Sequence, residues 1–333
     1  MNKMHCEYKK SDCEEIKLFY DDWYSKGYMD EWPADKKNRI FEIIRSLDLP
    51  ETGEALDYGC GNGVFTGILK LALPKWDVYG VDISSIAVDN AGKRYPDCLF
   101  FLPSDTRLNN KRFDFLFSHH VLEHVEDINA AWGEIDRYLK EQGSSLHVLP
   151  CGNKGSLEYN LCMSRKDGIN ADSGNRFVFE DKSHLRRLIT QQMNDFAARC
   201  NLKLVFDYYS NHFFGALDWI TLSSPLFILK MTNPIKAKNK ASALKLGFLC
   251  VFSFLIKIMR FPANTIDHKK KIMKKHEYYF LFFALLVFYP LSKFTNICLK
   301  SMSDSEWERR KTDKNGSEMF LYYKRARILH QRS

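Results

Sequence analysis

The sequence lacks the patterns that mark several common protein classes. Its nine cysteines include no Cys-x-x-Cys pair and no secretory signal pattern is present, so we expect reduced thiols in the cytoplasm. Internal repeats and low-complexity tracts are absent. No apolar run reaches the roughly 20 residues that a transmembrane helix needs. These absences leave an ordinary folded protein as the expected class. The length of 333 residues and the content of 45% hydrophobic and 27% charged residues indicate the same.

The glycine-rich segment after the first predicted strand lacks the last glycine of a dinucleotide-binding fingerprint. The pattern G-x-G-x-x-G needs that glycine where this chain has Val64; here the glycines are Gly59, Gly61 and Gly63. Glycines let a ligand approach the backbone, and the helix N-terminus that follows favours polar ligands. The acid Asp57 stands two places before the first glycine. The segment therefore indicates a nucleotide-type site whose glycine spacing differs from the dinucleotide fingerprint.

This D-x-G-x-G-x-G arrangement resembles motif I of the class I S-adenosylmethionine-dependent methyltransferases, in particular the ubiquinone-biosynthesis-like, methyltransferase-11-type family. Three further motifs follow in the family's order, over about 100 residues in all. They are a strand ending in an acid over Asp77–Asp82, a strand over Cys98–Leu102 that closes on Asp105, and a strand over Phe113–Ser118 followed by Leu122-Glu123-His124-Val125. The resemblance implies S-adenosyl-L-methionine as the cofactor.

The resemblance also implies which residues contact the cofactor. Asp82, the acid at the end of the second strand, is expected to accept hydrogen bonds from both ribose hydroxyls. Asp105 is expected to accept a hydrogen bond from the adenine amino group. The implied set is Asp57, Gly59, Cys60, Gly61, Gly63, Asp82, Ile83, Asp105, Thr106 and Ser118.

Three histidines follow the fourth strand, beside the expected position of the methyl group. An oxygen acceptor must lose its proton, and histidine titrates near neutral pH. We expect His120 to be the general base, with His119 as the next candidate and His124 better suited to shaping the start of a helix. The alternative is that any one of them caps a helix or binds the lid. Glu123 could orient a histidine.

Two metal-site interpretations are weak. His120–His124 matches the H-x-x-E-H zinc-peptidase pattern, but that pattern needs a continuous helix and this tract follows a strand. Some ubiquinone-pathway O-methyltransferases hold a divalent cation with acids here, where this chain has His120. We therefore expect no metal.

Positive charge is concentrated over residues 230–276, which hold twelve Lys or Arg and one acid, Asp267. The charges flank two apolar blocks, Leu246–Ile256 and Tyr278–Leu291, both too short to span a bilayer. Two interpretations stay open: the helices cap the active site, or they lie on an anionic membrane surface through residues 230–300. We expect no nucleic-acid partner.

The alternation of strands and helices predicts an α/β, Rossmann-like seven-stranded sheet with an antiparallel last strand and helices on both faces. The expected segments are an N-terminal helical segment (1–50), a cofactor-binding core (51–214) with a lid loop (152–181), a basic and hydrophobic helical insertion (215–314), and the final strand with a tail (315–333). A helix is predicted over Asp181–Cys200. The aromatic segment Phe19–Tyr24 is expected either to fold over the cofactor or to pack in the core.

The predicted function is O-methylation of a small amphipathic or lipid-linked acceptor, such as a quinone precursor, a glycolipid or a saccharide intermediate. The enzyme is expected in the cytoplasm or peripheral at the inner face of the membrane. Two alternatives remain: a membrane adaptor that binds the cofactor without catalysis, and a nicotinamide-dependent dehydrogenase, which the position of Gly63 disfavours.

Overall fold

The computed structural model describes residues 10–27, 31–180, 183–269, 283 and 285–325. The chain divides into two compact units. Unit 1 comprises Met1–Leu149, Asn194–Phe206 and Leu321–Ser333, and unit 2 comprises Pro150–Met193 and Asp207–Phe320.

Strands and helices alternate through the first 150 residues. They are α1 (Lys10–Ser25), α2 (Ala34–Ser46), β1 (Glu54–Tyr58), α3 (Val64–Ala72), β2 (Asp77–Val81), α4 (Ser85–Arg94), β3 (Leu99–Phe101), β4 (Phe113–His119), α5 (Ile128–Tyr138) and β5 (Leu139–Pro150). The later elements are α6 (Leu157–Met163), β6 (Ile169–Asn170), β7 (Arg176–Phe177), α7 (Thr190–Arg199), β8 (Leu202–Ser210), α8 (Phe214–Leu222), α9 (Pro225–Thr232), α10 (Lys240–Lys269), α11 (Tyr289–Arg310) and β9 (Glu318–Arg325).

Seven strands form one sheet in the order β3-β2-β1-β4-β5-β9-β8, with the last strand, β9, antiparallel. The strands β1 to β5 pair in parallel; in register, Asp57 lies opposite Gly80 on one side and Phe117 on the other. Phe113, Phe115 and Phe117 of β4 are fully buried, as expected of a central strand covered on both faces. The predicted Rossmann-like fold class is confirmed.

Segment 152–181, predicted as an irregular lid loop, contains regular structure over its described residues. Ser156 accepts a hydrogen bond from the Tyr159 amide and caps α6, and β6 and β7 form a short antiparallel pair. The prediction was wrong here because a seven-residue helix and two-residue strands are too short to produce a sustained periodic pattern.

The helix predicted over Asp181–Cys200 begins only at Thr190, and Asp181 lies outside the described residues. The segment before the helix is held by long-range bonds: the Arg187 amide donates to the Gly174 carbonyl, and the Gly152 amide donates to the Leu188 carbonyl. The Arg187 side chain is buried among acceptors from unit 2. Tertiary contacts therefore replace the local helical preference.

The region predicted as a basic, hydrophobic insertion contains α8 to α11. Its apolar block Leu246–Ile256 is part of the 30-residue helix α10, whereas much of the block Tyr278–Leu291 lies outside the described residues. Leu217, Ile228 and Leu246 belong to a buried apolar cluster that joins α8, α9 and α10 within unit 2.

Candidate active site

A cavity of about 400 Å³ in unit 1 lies at the carboxyl ends of β1, β2 and β4. This is the edge of an open α/β sheet where ligands bind, and the volume is in the range that buries a small molecule. Nine of the predicted site residues line it: Asp57, Gly59, Cys60, Gly61, Asp82, Ile83, His119, His120 and His124. Motifs from separate strands therefore meet at one cavity.

The glycine loop after β1 lines this cavity with bare backbone. Gly59 has a φ of 76°, and a Cβ at this position would overlap the side chain of Val121. Gly61 has a φ of 50°, and a Cβ there would lie 2.8 Å from the Tyr24 hydroxyl. Glycine adopts both conformations without strain. The two glycines thus let Val121 and Tyr24 pack directly against the loop, whose residues line the cavity.

Asp57 and Asp82 are buried carboxylates on the cavity wall. Burial raises the pKa of Asp57 to about 7, although Thr66 Oγ1 donates to this carboxylate at 2.6 Å. Asp82 accepts from the amides of Gly61, at 2.8 Å, and Ser84, at 2.9 Å, and burial raises its pKa as well. Carboxylates with such pKa shifts in a cleft are typical of functional sites.

Apolar side chains flank Asp82. Ile83 and Pro103 both line the cavity, and Ile83 remains 41% exposed. A carboxylate beside apolar surface fits a cofactor that joins a hydroxylated ribose to a flat base, as S-adenosylmethionine does. The thiol of Cys60 is buried, and this burial, followed by the nearby Asp82, raises its pKa well above the usual value. Cys60 is therefore not an activated nucleophile.

His120 is the histidine best placed to act as a base. Its φ of 54° is uncommon outside glycine, and its amide donates to the Val148 carbonyl at 2.8 Å. The ring Nδ1 lies 3.0 Å from Oε1 of Glu123, a side chain that is only 1% exposed. A carboxylate at one ring nitrogen selects the tautomer in which the other, Nε2, accepts a proton. This is the geometry of a histidine base oriented by a carboxylate.

The other two histidines are held differently. The ring of His119 packs against Trp32 and Phe65, with centroid distances of 4.6 and 4.0 Å. His124 Nε2 lies 3.9 Å from Oε1 of Glu123, so this histidine shares the carboxylate that orients the candidate base. Aromatic packing thus restrains His119, and His124 adds a polar group to the same wall.

Lys36 brings a positive charge next to two residues of this wall, Trp32 and His120. Its Nζ lies 4.7 Å from the ring centroid of Trp32 and 3.5 Å from Nε2 of His120. An ammonium group beside the ring nitrogen can hold an anionic oxygen there. Sequence analysis missed both Lys36 and Trp32 because they precede the glycine loop, in a segment without a recognised motif.

Helix α1 contributes to the cavity through Tyr20 and Tyr24. The helix is bound to the start of α4, where Asp21 accepts from the hydroxyl of Ser84 and from the amide of Ile86. These contacts favour the interpretation of the aromatic segment as a cover for the cofactor site, rather than as ordinary core.

Asp105 and Thr106 lie outside the cavity lining. The Asp105 carboxylate accepts from the backbone and the guanidinium of Arg107, which lower its pKa to about 2. Thr106 begins the short 3-10 turn that Asp105 caps. The adenine contact of Asp105 stays a prediction: its carboxylate is bonded to Arg107, and Pro103 lines the cavity.

Gly63 and Ser118 also lie outside the lining. Gly63 is the left-handed N-cap residue of α3, so it shapes the loop without bordering the cavity. The hydroxyl of Ser118 is 2.8 Å from Nδ1 of the buried His147. Their cofactor contacts stay predictions; the structure shows a backbone role for Gly63 and a buried hydrogen bond for Ser118.

The tract that matches the zinc-peptidase pattern is not helical. His120 follows β4 directly, and residues 122–124 form a turn. The two histidines of the pattern consequently do not lie on one helix face, which the peptidase geometry requires.

Comparison with known proteins agrees with the motifs. The family described as "Methyltransferase domain" matches residues 56–146. Trans-aconitate 2-methyltransferase of Escherichia coli O17:K52:H18 is 28% identical over 108 residues, 32% of this chain and 42% of that protein. The enzyme of the same name from Enterobacter sp. (strain 638) is 27% identical over 124 residues, 37% of this chain and 48% of that protein. The chain thus spans less than half the length of these relatives.

Among solved structures, a TehB-like S-adenosylmethionine-dependent methyltransferase from Corynebacterium glutamicum aligns with a TM-score of 0.37 and 17% identity. The alignment covers 60% of this chain and 88% of that chain.

Proposed function

Because residues 56–146 belong to the class I S-adenosylmethionine-dependent methyltransferases, we propose that the protein transfers a methyl group to an oxygen atom of a small amphipathic or lipid-linked acceptor. Quinone precursors, glycolipids and lipid-linked saccharide intermediates have this character. The observation that carries the proposal is the His120–Glu123 pair in a cavity with aromatic walls. A base at this position suits a hydroxyl acceptor, and the aromatic walls suit its apolar part.

S-adenosylmethionine supplies a methyl group that its sulfonium already activates for displacement. The protein therefore has to hold the two reactants in line and remove a proton, and orientation alone is worth about 7–11 kcal/mol. Asp82 would hold the ribose hydroxyls of the cofactor, and the glycine loop would lie against the rest of it. His120 Nε2 takes the acceptor's proton, Glu123 stabilises the imidazolium that results, and Lys36 stabilises the developing oxyanion.

The cofactor assignment is tested by isothermal titration with S-adenosylmethionine and S-adenosylhomocysteine. Asp82→Ala is expected to weaken binding by about tenfold or more, since hydrogen bonds to a charged group contribute roughly 1.5–3 kcal/mol each. Asp82→Asn has a single side-chain oxygen and so keeps only one of the two bonds from the amides of Gly61 and Ser84; thermal unfolding of both variants therefore separates lost cofactor binding from lost folding. Asp97→Asn, which changes an exposed acid outside the cavity lining, is the matched control and should bind normally. Equal affinity in all variants would contradict the assignment.

The acceptor class is tested with a labelled methyl donor and three probes: an alkyl-substituted catechol, a glycolipid and a soluble tricarboxylate. His120→Gln should lower kcat on a hydroxyl acceptor by about 10²–10⁴-fold with unchanged affinity for S-adenosylhomocysteine. Glu123→Gln should retain part of the activity and shift its pH profile, because this residue positions the base. Full activity of His120→Gln on a hydroxyl acceptor would remove the proposed base.

A carboxylate is the second candidate acceptor. The two relatives are named for trans-aconitate, and Lys36 stands where an anionic oxygen would bind. A carboxylate is already ionised at neutral pH and needs no base. Methylation of the tricarboxylate that depends on Lys36 but not on His120 would therefore identify this second function.

A further inference from the structure

Helix α10 in unit 2 has two apolar faces. One face is buried, with Leu246 and Leu249 in the apolar cluster of this unit. The other carries a row of five exposed apolar side chains spaced four, three, four and three residues apart, which we call the α10 stripe. They are Leu244 (78% exposed), Phe248 (67%), Val251 (61%), Leu255 (55%) and Ile258 (65%). Residues at this spacing share one helix face.

The basic residues in the middle of α10 turn away from the stripe. Lys257 Nζ donates to the carbonyl oxygens of Thr221 and Ser223, at 3.3 and 2.5 Å. These hydrogen bonds join α10 to the C-terminal end of α8. Arg260 is only 4% exposed, and it binds the Asp218 carboxylate at 2.8 Å and the Thr221 hydroxyl at 2.7 Å. Contacts inside the unit thus keep these two charges away from the exposed apolar surface between Phe248 and Ile258.

Lysines precede the stripe in the structure, and more lysines follow α10 in the sequence. Lys236, Lys238, Lys240 and Lys245 are exposed at the start of α10. In the sequence, five more lysines follow at positions 269–275, directly after Ile266 and Asp267. A charge-free apolar row between two groups of lysines complements a surface that is apolar inside and anionic at its rim. Anionic phospholipid headgroups above acyl chains have this arrangement, and basic residues near them are attracted electrostatically.

We infer that the α10 stripe lies in the interface of an anionic phospholipid membrane, parallel to its surface, with the exposed Lys238, Lys240 and Lys245 at the headgroups. The inference rests on unit 2 alone and is independent of the proposed methyl transfer. Association with a second copy is disfavoured because it would bring two strongly basic segments together.

The stripe does not make α10 a membrane-spanning helix. Residues Lys240–Asp267 are long and apolar enough to cross a bilayer, a weak criterion that buried helices also satisfy. The face opposite the stripe is packed within unit 2, and Arg260 forms its ion pair with Asp218 on that side. A helix with one face held in this way can reach lipid only with the other face, which is the interfacial arrangement.

The test is flotation of the full-length protein with vesicles of phosphatidylglycerol or of phosphatidylcholine. We expect binding to phosphatidylglycerol that weakens at high salt, and at least about tenfold weaker binding for Phe248→Glu/Leu255→Glu. The matched control is Leu71→Glu/Val205→Glu, since these side chains in unit 1 are 68% and 54% exposed and receive the same charge. The control should bind as the wild type does, and the thermal unfolding of both variants establishes that they are folded.

Three outcomes would overturn the inference. In the first, the folded stripe variant and the control bind phosphatidylglycerol equally. In the second, the wild type binds neither vesicle and sediments as a dimer. If the control is also a dimer and only the stripe variant is a monomer, the stripe is assigned to contact with a second copy. In the third, the protein binds both lipids equally and without salt dependence, so that headgroup charge has no role. None of these results affects the titration with S-adenosylmethionine, so the two proposals fail separately.

Discussion

The two units bury carboxylates in opposite ways. In unit 1, Asp57 and Asp82 accept from a hydroxyl and from backbone amides, and burial raises the pKa of both. In unit 2, Glu158 and Glu180 both bind the guanidinium of the fully buried Arg187, at 2.9 and 2.6 Å. The first arrangement leaves acceptor groups facing a cavity, whereas the second is complete within the fold. Burial of charge alone therefore does not identify a ligand site; what matters is which partner supplies the remaining interactions.

Loss of Arg187 should produce the largest effect on stability. Arg187→Ala leaves two acids without their shared cation, and removal of one member of a buried ion pair costs about 3–5 kcal/mol. The guanidinium also donates to the carbonyl groups of Cys151 and Ser317, so these acceptors lose their donor as well. Chemical denaturation measures the loss.

The control for this prediction is a surface ion pair in the same unit. Arg310 is about as close to its partner, with Nε 2.9 Å from Asp313, but its side chain is 40% exposed. Arg310→Ala should cost less than about 1 kcal/mol. A similar cost for both variants would mean that the buried network of Arg187 has no special role in unit 2.

Asp57→Asn should stabilise the protein at high pH, whereas Arg187→Ala destabilises it. The pKa of Asp57 is raised from 3.8 to about 7, so between these values the folded state holds a proton that the unfolded state has lost. Stability from this group therefore falls as pH rises from about 4 to about 7. The variant avoids that loss, and at pH 8 its free energy of unfolding should exceed that of the wild type by an amount on the order of 2–4 kcal/mol.

Below about pH 4 the two proteins should converge, because Asp57 is then protonated in both states. Unfolding curves recorded across this range measure the difference. Asp105→Asn is the control, since the pKa of Asp105 is lowered and not raised, and it should show no gain at pH 8. Weaker cofactor binding in the more stable Asp57→Asn would show that unit 1 gives up stability for its site. A pH-independent difference between Asp57→Asn and the wild type would contradict the argument.

The cavity residues were largely predictable because they belong to local motifs. The glycines, Asp57 and Asp82 follow predicted strands directly, and parallel strands bring their carboxyl ends to one edge. Lys36 and Trp32 were not predictable, since only the fold brings them to His120. The central strands were recognised for a related reason: continuous apolar runs produce a strong pattern.

Unit 2 was harder to predict because its contacts join residues that are far apart in the sequence. Arg187 binds Glu158, 29 residues away, and the carbonyl of Ser317, 130 residues away. Local sequence around Arg187 favours a helix, and these distant partners override it. The inward direction of Lys257 and Arg260 has the same origin, since their acceptors are in α8. Composition located the basic, apolar region, but only these contacts reveal an uncharged face.

The smallest predicted effects compare two glycines, one from each unit. An alanine Cβ at Gly59 would meet Val121 in a left-handed backbone, so Gly59→Ala should cost about 1–3 kcal/mol and weaken S-adenosylmethionine binding. Gly247 lies in α10 with nothing within 4 Å of an added Cβ, and Gly247→Ala should gain about 1 kcal/mol through helix propensity. Thermal unfolding and cofactor titration of both variants measure the contrast. The substitution is the same at both positions. Stability changes of opposite sign would therefore show that the glycine loop of unit 1 requires Gly59, whereas α10 does not require Gly247. A stabilising Gly59→Ala with normal cofactor affinity would refute the tight approach of Val121 to the loop.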